Sequence, residues 1–456
     1  MFDLVFKEGL LMDGFSRYFA DIALEGEKIA SIGNNLSGRK EISASGKWIF
    51  PGVIDVHTHF SLPFAGVVSS DDFLSGTRAA AAGGVTTIID FTSQVGDEGL
   101  RPGFERRMKM AEPNCVIDYS FHACIGRFSQ AVENDLQWAS DNGLTSLKIF
   151  SAYKKAGLML DDGKIYDLLC KSKPNGILIT IHAENGDVIE NLIEKEVFKG
   201  NTGMIGHSIS RPPFTEVEAV SRVCRLACSA NSPIYIVHLS CGESAKFIEK
   251  SFESGRIFLE TCPQYLFLDD SLFGKGNGHF FASCPPIRQK SQQAGLIEGL
   301  KNGRIQVVAT DHCPFTSQAK NTWRNDFRNL PMGLPGVETL LPLILGKSSV
   351  FQLSPNDAIK LISVNPAKIF GLYPDKGTLQ PGTDADLVVY NPAVKKILSA
   401  KTLNMNIDYS PYEGFETQGV VEMTTSRGEI IFNNGELRAK PGRGKLLKRR
   451  KFECSQ

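Results

Sequence analysis

The chain has 456 residues, with 50 Lys plus Arg against 50 Asp plus Glu, and 42% hydrophobic and 22% charged residues. The balanced charge offers no field to recruit nucleic acid, acidic lipid or other polyanions, and the composition excludes disordered, collagen-like and coiled-coil classes. At roughly 150 residues per domain the length suggests about three domains, although one α/β barrel alone can absorb about 250 residues.

No apolar run approaches the roughly 18 residues that a membrane span requires, and Asp3, Lys7 and Glu8 interrupt the N-terminus where a signal peptide would be continuously apolar. A cytoplasmic protein with no membrane partner is expected. The ten cysteines form no Cys-x-x-Cys pair, which in so long a chain reads as reduced, mostly buried thiols. Any metal site must therefore draw on other ligands.

In chain order, residues 1–50 alternate with period two around Gly and Asp, as in Asp3 to Phe6 and Asp21 to Ile29, and read as hairpins of a small β domain. Short apolar runs then alternate with helical stretches: Val53 to Val56, Val85 to Phe91, Val116 to Ile125, Leu144 to Phe150, Ile177 to Ile181, Ile234 to Leu239, Ile257 to Cys262 and Ile305 to Thr310. Eight such βα units close a parallel (β/α)8 TIM barrel, here spanning residues 51–376. Strand-like text returns at Ala385 to Tyr390, Val420-Val421 and Ile430-Ile431, so residues 1–50 and 377–437 are expected to build one small β-sandwich from both chain ends. Residues 438–456 form a basic tail ending near Lys448-Arg449-Arg450-Lys451, read as a solvated or subunit-bridging segment rather than a nucleic-acid arm.

In a barrel, functional groups sit where the strands end. His57 and His59 close the first run, Lys148 lies in the fourth, His182 ends the fifth, His238 lies in the sixth and Asp311 follows the eighth. His57 and His59 are two apart on a strand, so both imidazoles point to one side, as a shared metal requires. Four imidazoles and a carboxylate suit a first-row divalent ion, zinc by default, and exceed the needs of one open catalytic site, so two zinc ions are expected. A bimetal pair needs a bridging anion. Lys148, desolvated as an ammonium, would lose its proton and could take up carbon dioxide to become a carbamate.

His122 reads as a satisfied core histidine and His312 as a structural neighbour of Asp311. Cys262, Cys284 and Cys313 show no activating base and read as buried packing. Leu62 and Phe64, after the first strand, and Phe150 are expected to line the barrel mouth facing a substrate substituent, with a core or subunit-contact role nearly as well supported.

The residues Pro51 to His59, Leu147 to Tyr153, His182 to Asp187, Arg211-Pro212-Pro213, Glu260 to Leu266, Ala309 to Phe315 and Gly333 to Glu338 carry a resemblance over essentially the whole chain. It resembles the hydantoinase/dihydropyrimidinase branch of the cyclic amidohydrolases, to which a lysine followed five residues later by tyrosine is specific. The resemblance implies that His57, His59 and Asp311 hold one zinc, that His182 and His238 hold the second, and that carboxylated Lys148 bridges them. It implies a bridging hydroxide that opens a dihydropyrimidine or 5-substituted hydantoin ring to an N-carbamoyl amino acid. Asp311 would act as general base and then general acid, and Tyr153 would donate to the oxyanion. It further implies a homotetramer whose C-terminal tail reaches a neighbour.

Two positions depart from the family pattern: Cys284 stands where relatives usually have Ser and Met332 where they have Asn, in loops that grip the substrate through main-chain groups. Within enzymes the alternative is an allantoinase or dihydroorotase, against which Tyr153 speaks. Outside them it is a catalytically silent scaffold of the collapsin response mediator type, against which the retained ligand positions speak.

Overall fold

The computed structural model describes residues 1–252 and 256–453, so residues 454–456 of the expected tail lie outside the described residues. Five N-terminal strands come first: β1 (Phe2–Met12), β2 (Arg17–Glu25), β3 (Lys28–Gly33), β4 (Gly38–Ser43) and β5 (Trp48–Pro51). The alternation of apolar and polar residues read in the sequence becomes alternation between a packed and a wet face, with Leu4, Phe6, Ile22, Leu24 and Ile49 in one apolar cluster.

The barrel strands follow: β6 (Val53–Thr58), then β9 (Val85–Phe91), β10 (Asp118–Cys124), β11 (Ser146–Phe150), β12 (Leu178–His182), β13 (Ile234–Ile236), β14 (Ile257–Thr261) and β15 (Val307–Val308), with a small hairpin of β7 (Pro63–Phe64) and β8 (Val67–Val68) after the first. They pair in parallel in the order β6-β9-β10-β11-β12-β13-β14-β15. His312 closes the ring, donating its N–H to the His57 carbonyl at 3.2 Å and accepting from the His59 N–H at 2.8 Å. Every residue of β6, β9 and β12 is buried, which is why these strands read as unbroken apolar runs rather than alternating ones. This is the eight-stranded TIM barrel that the sequence predicts.

After the barrel come β16 (Leu387–Ile397), β17 (Glu416–Ser426), β18 (Glu429–Asn433) and β19 (Glu436–Leu437). The two chain ends meet at β5, which runs parallel to β1 on one side and antiparallel to β16 on the other, with Trp48 opposite Tyr390 and Pro51 opposite Leu387. One mixed sheet in the order β19-β18-β17-β16-β5-β1-β2-β3, with β4 also on β1, is therefore the β-sandwich domain of both ends.

The basic tail corrects the expectation of a solvated segment: it lies against this chain's own barrel, across the N-terminal ends of the strands. The Lys445 carbonyl accepts from Tyr119 N at 3.0 Å, Leu447 N donates to the Tyr119 carbonyl at 2.8 Å, and Phe452 N donates to the Gly176 carbonyl at 2.8 Å. Arg449 is buried, donating Nε to Ser120 Oγ at 3.0 Å and Nη2 to the Phe121 carbonyl at 2.5 Å. Gly371 permits the approach: at φ +71° it adopts a left-handed backbone, and a Cβ there would collide with the Arg450 carbonyl. A buried lysine ties tail, sandwich and barrel together. Lys376 Nζ contacts Asp118 at 2.7 Å, Asp384 at 2.9 Å and Asp386 at 2.7 Å, and Asp118 also accepts from Arg427 and from the Lys445 N–H.

Candidate metal centre

The strand ends opposite the tail gather the expected residues. His57 Nε2 and His59 Nε2 each lie 3.2 Å from the same oxygen, Oδ1 of Asp311, and the donor atoms of the three lie within 4.8 Å of one another. Next to them His182 Nδ1 and His238 Nε2 approach to 3.1 Å. The two groups are contiguous, since the His57 and His238 rings are 5.4 Å apart. Lys148 Nζ projects between the rings of Phe91, 5.5 Å away, and Phe150, 5.3 Å away, and the Phe91 ring in turn lies 4.7 Å from both His57 and His59.

Local backbone geometry aims three of these side chains. Tyr153 (φ +68°), His238 (φ +38°) and Asp311 (φ +52°) all sit in the left-handed region, which costs a non-glycine residue about 1–3 kcal/mol and persists only where the surroundings enforce it. Asp55 supplies part of that enforcement, accepting from the His57 N–H at 3.3 Å, the Thr310 N–H at 3.1 Å and Thr310 Oγ1 at 2.5 Å. Asp90 fixes the other flank by accepting from Thr58 Oγ1 at 3.1 Å and Phe60 N at 3.0 Å, and it is itself held by Arg107.

Electrostatics favour the protonation states that metal ligation needs. Burial drives the imidazoles of His57, His182 and His238 below the usual histidine range, so all three are neutral at pH 7. Burial also lowers the Lys148 ammonium to about 8. Burial pushes Asp311 up, but His57 and His59 outweigh it and hold the carboxyl below its ordinary value. Burial raises the Tyr153 hydroxyl well above its usual range, so it remains a donor. Imidazoles and an ionised carboxylate converging within a few ångströms form a donor set that fits a divalent first-row ion.

The remaining expectations divide. His122 is a core histidine, bonded to Ser146 Oγ at 2.6 Å and to the Val56 carbonyl at 2.9 Å. His312 accepts from the N–H groups of Gly336 at 3.0 Å and Val337 at 3.2 Å, behind Asp311. Cys262 and Cys313 are buried as expected, whereas Cys284 is only partly covered, on the loop beside Tyr153 and Arg211. Met332 packs against the apolar cluster of Leu268, Phe273, Leu330 and Leu334, and Gly333 N beside it donates to the Ala282 carbonyl at 2.9 Å, joining the Met332 and Cys284 loops. Phe150 stands 5.8 Å from the Tyr153 ring, while Phe64 is exposed on its hairpin, 6.4 Å from Phe315.

The sequence gives no role to two buried glutamates that the structure places directly behind the histidines. Glu260 Oε1 lies 2.7 Å from His57 Nδ1 and accepts from the His238 N–H at 2.9 Å, while Glu184 Oε2 lies 2.7 Å from His182 Nε2. The signal was present as an acid inside the seventh apolar run and as an acid two residues past a strand-end histidine.

Residues 48–431 match the model of the amidohydrolase family. The chain is 40% identical to the D-hydantoinase of Geobacillus stearothermophilus over 98% of its own length and 96% of that protein. It is 38% identical to the D-hydantoinase of Streptomyces coelicolor over 96% of each. Among solved structures it superposes on the dihydropyrimidinase of Brevibacillus agri with a TM-score of 0.96 at 38% identity, covering 98% of this chain and 99% of that one.

Proposed function

The chain belongs to the amidohydrolase family, and from that premise we propose that it opens the ring amide of 5-substituted hydantoins or dihydropyrimidines to N-carbamoyl amino acids. One observation carries the reading: two imidazoles meet the carboxylate of Asp311 at strand ends, with a second imidazole pair beside them. The relatives bear the names D-hydantoinase and dihydropyrimidinase, and their likeness covers nearly all of both chains.

The residues that would hold a first zinc are His57, His59 and Asp311; His182 and His238 would hold a second; Lys148, carboxylated on Nζ, would bridge. When bound, two divalent ions supply Lewis acidity that polarises a carbonyl and makes water nucleophilic at neutral pH. Asp311 accepts the proton released as the nucleophile attacks and passes it to the departing ring nitrogen. Tyr153 donates its hydroxyl hydrogen to the oxygen that gains charge, and its raised pKa keeps that hydrogen in place. Main-chain groups around Cys284 and Met332 grip the cyclic amide, and Phe150 and the Leu62–Phe64 segment border the exocyclic substituent.

The neutral ring substrate suits a chain with no net charge to steer ions. A homotetramer fits the exposed Phe198, Ile205, Ile209 and Phe214, four large apolar side chains within 17 residues. The deciding experiment compares kcat/KM of the metal-replete enzyme on 5-substituted hydantoins, dihydrouracil and allantoin, with metal content measured on the same sample. Hydrolysis of the first two classes is expected; a metal-loaded protein inert on both, or one that prefers allantoin, overturns the assignment.

A further inference from the structure

Behind the His182 and His238 pair lies a closed group of two arginines and two glutamates, all four buried: Glu184, Arg211, Glu216 and Arg288. Arg211 Nη1 donates to Glu184 Oε2 at 2.5 Å, the same oxygen that meets His182 Nε2 at 2.7 Å. Arg288 Nη2 lies 3.7 Å from both Glu184 Oε1 and Glu216 Oε2, its Nε donates to Ser240 Oγ at 2.9 Å, and its Nη1 donates to the Arg211 carbonyl. Glu216 then accepts from the N–H groups of Ser240 at 3.1 Å and Cys241 at 2.9 Å, directly after His238. The group therefore holds both loops that carry the second imidazole pair.

Arg211 has a second contact. Its guanidinium carbon stands 5.3 Å over the Tyr153 ring, whose centroid is 4.8 Å from that of His182. The placement follows from local sequence: Arg211 ends the short helix Met204–Ser210, and Pro212-Pro213 forces an extended step before the next helix, Pro213–Ser229, begins with Pro at its first position. An ionised carboxylate only accepts, so Glu184 keeps the His182 proton on Nε2 and leaves the Nδ1 lone pair facing His238 Nε2.

We propose that Arg211 is a positioning residue that couples the second metal position to the tyrosine hydroxyl: through Glu184 it fixes the tautomer and orientation of His182, and through its guanidinium face it orients the Tyr153 ring. The two functions need different properties of the side chain. Holding Glu184 needs a cation; covering an aromatic ring with a flat face needs guanidinium, which lysine does not supply. The inference rests on the two-metal reading above.

The test titrates Co2+ into metal-free wild type, Glu184→Gln and Arg211→Lys, following visible absorption, and measures kcat and KM of the reloaded proteins. Wild type is expected to take two equivalents. Glu184→Gln should bind the first as wild type does and the second about 10–100-fold more weakly. Arg211→Lys should retain the second equivalent yet lose kcat about tenfold, with KM changed less than kcat. A purely structural role would weaken both equivalents together or lower both kinetic constants in step. Unchanged second-equivalent affinity in Glu184→Gln, or wild-type kcat in Arg211→Lys, overturns the inference. Fewer than two equivalents in wild type overturns the two-metal reading, and the inference falls with it.

Discussion

His57 Nδ1 and Glu260 Oε1 are 2.7 Å apart in a setting where both side chains are sealed from solvent. Burial lifts the Glu260 carboxyl to about 8, and the same cause brings the Lys148 ammonium down to about 8, so two groups of one site change protonation in one pH window. For Glu260 the folded pKa is raised, so the acid form dominates below 8 and the carboxylate that would fix the His57 proton appears above it. For Lys148 the folded pKa is lowered, so the free amine that the proposed carboxylation requires also appears as pH passes 8 rather than 10.5. Metal uptake in bicarbonate buffer should therefore tighten steeply from pH 6 to 9, with protons released on binding. Competition with a chromophoric chelator measures this; a flat profile over that range contradicts it.

Tyr153 approaches the metal centre through its ring contact with His182, and its hydroxyl titrates far above neutrality. Tyr153→Phe removes the proposed oxyanion donor and leaves the ring in place. Its kcat should fall about 10²–10³-fold, with KM nearly unchanged, in steady-state hydrolysis of a 5-substituted hydantoin. A loss below about tenfold would remove Tyr153 from the reaction.

Among the described residues, Lys376 is the only cation paired with Asp386 and shares Asp384 with Lys28 at the rim, and it shares Asp118 with Arg427. Lys376→Met keeps the volume but leaves buried carboxylates uncompensated. The expected cost is about 3–5 kcal/mol of stability, read by chemical unfolding of matched metal-loaded samples. An equally stable variant would mean that solvent reaches these aspartates.

Gly371 faces the tail on the side of the barrel opposite the metal centre. Gly371→Ala forces a left-handed alanine, at about 1–2 kcal/mol, and pushes on the Arg450 carbonyl. The melting temperature should drop while kcat of the folded fraction stays at the wild-type level. A matching loss of kcat would show that the floor and the mouth of the barrel are mechanically linked.

Much of this arrangement is legible along the chain because a barrel converts position into function: where an apolar run stops, a side chain faces the mouth. His57, His59, His182 and Asp311 follow from that rule, whereas Lys148 and His238 lie inside their runs and are singled out by residue type. The ladders themselves are shorter than the apolar text, Ile234–Ile236 against Ile234 to Leu239 and Val307–Val308 against Ile305 to Thr310. In the first of these His238 has left the extended region, at φ +38°, before the apolar run ends. Contacts that depend on distant partners stayed hidden. Arg211 is 27 residues from Glu184, and Arg288 lies 77 residues beyond Arg211, with no period to connect them. The tail misled for a related reason: Arg449 reads as solvated charge, but its Nε and Nη2 donate to Ser120 and the Phe121 carbonyl, over 300 residues away.

The position of β5 has a consequence for synthesis. Between β1 and β16 it joins residues 48–51 to residues 387–390, so a growing chain exposes one side of β5 until more than three hundred further residues have been made. At about 5–20 residues per second that interval lasts tens of seconds, with the barrel able to fold meanwhile. An open strand edge of that duration invites pairing with another nascent chain. Ribosome-bound intermediates halted before residue 387 should therefore be the species most prone to aggregate.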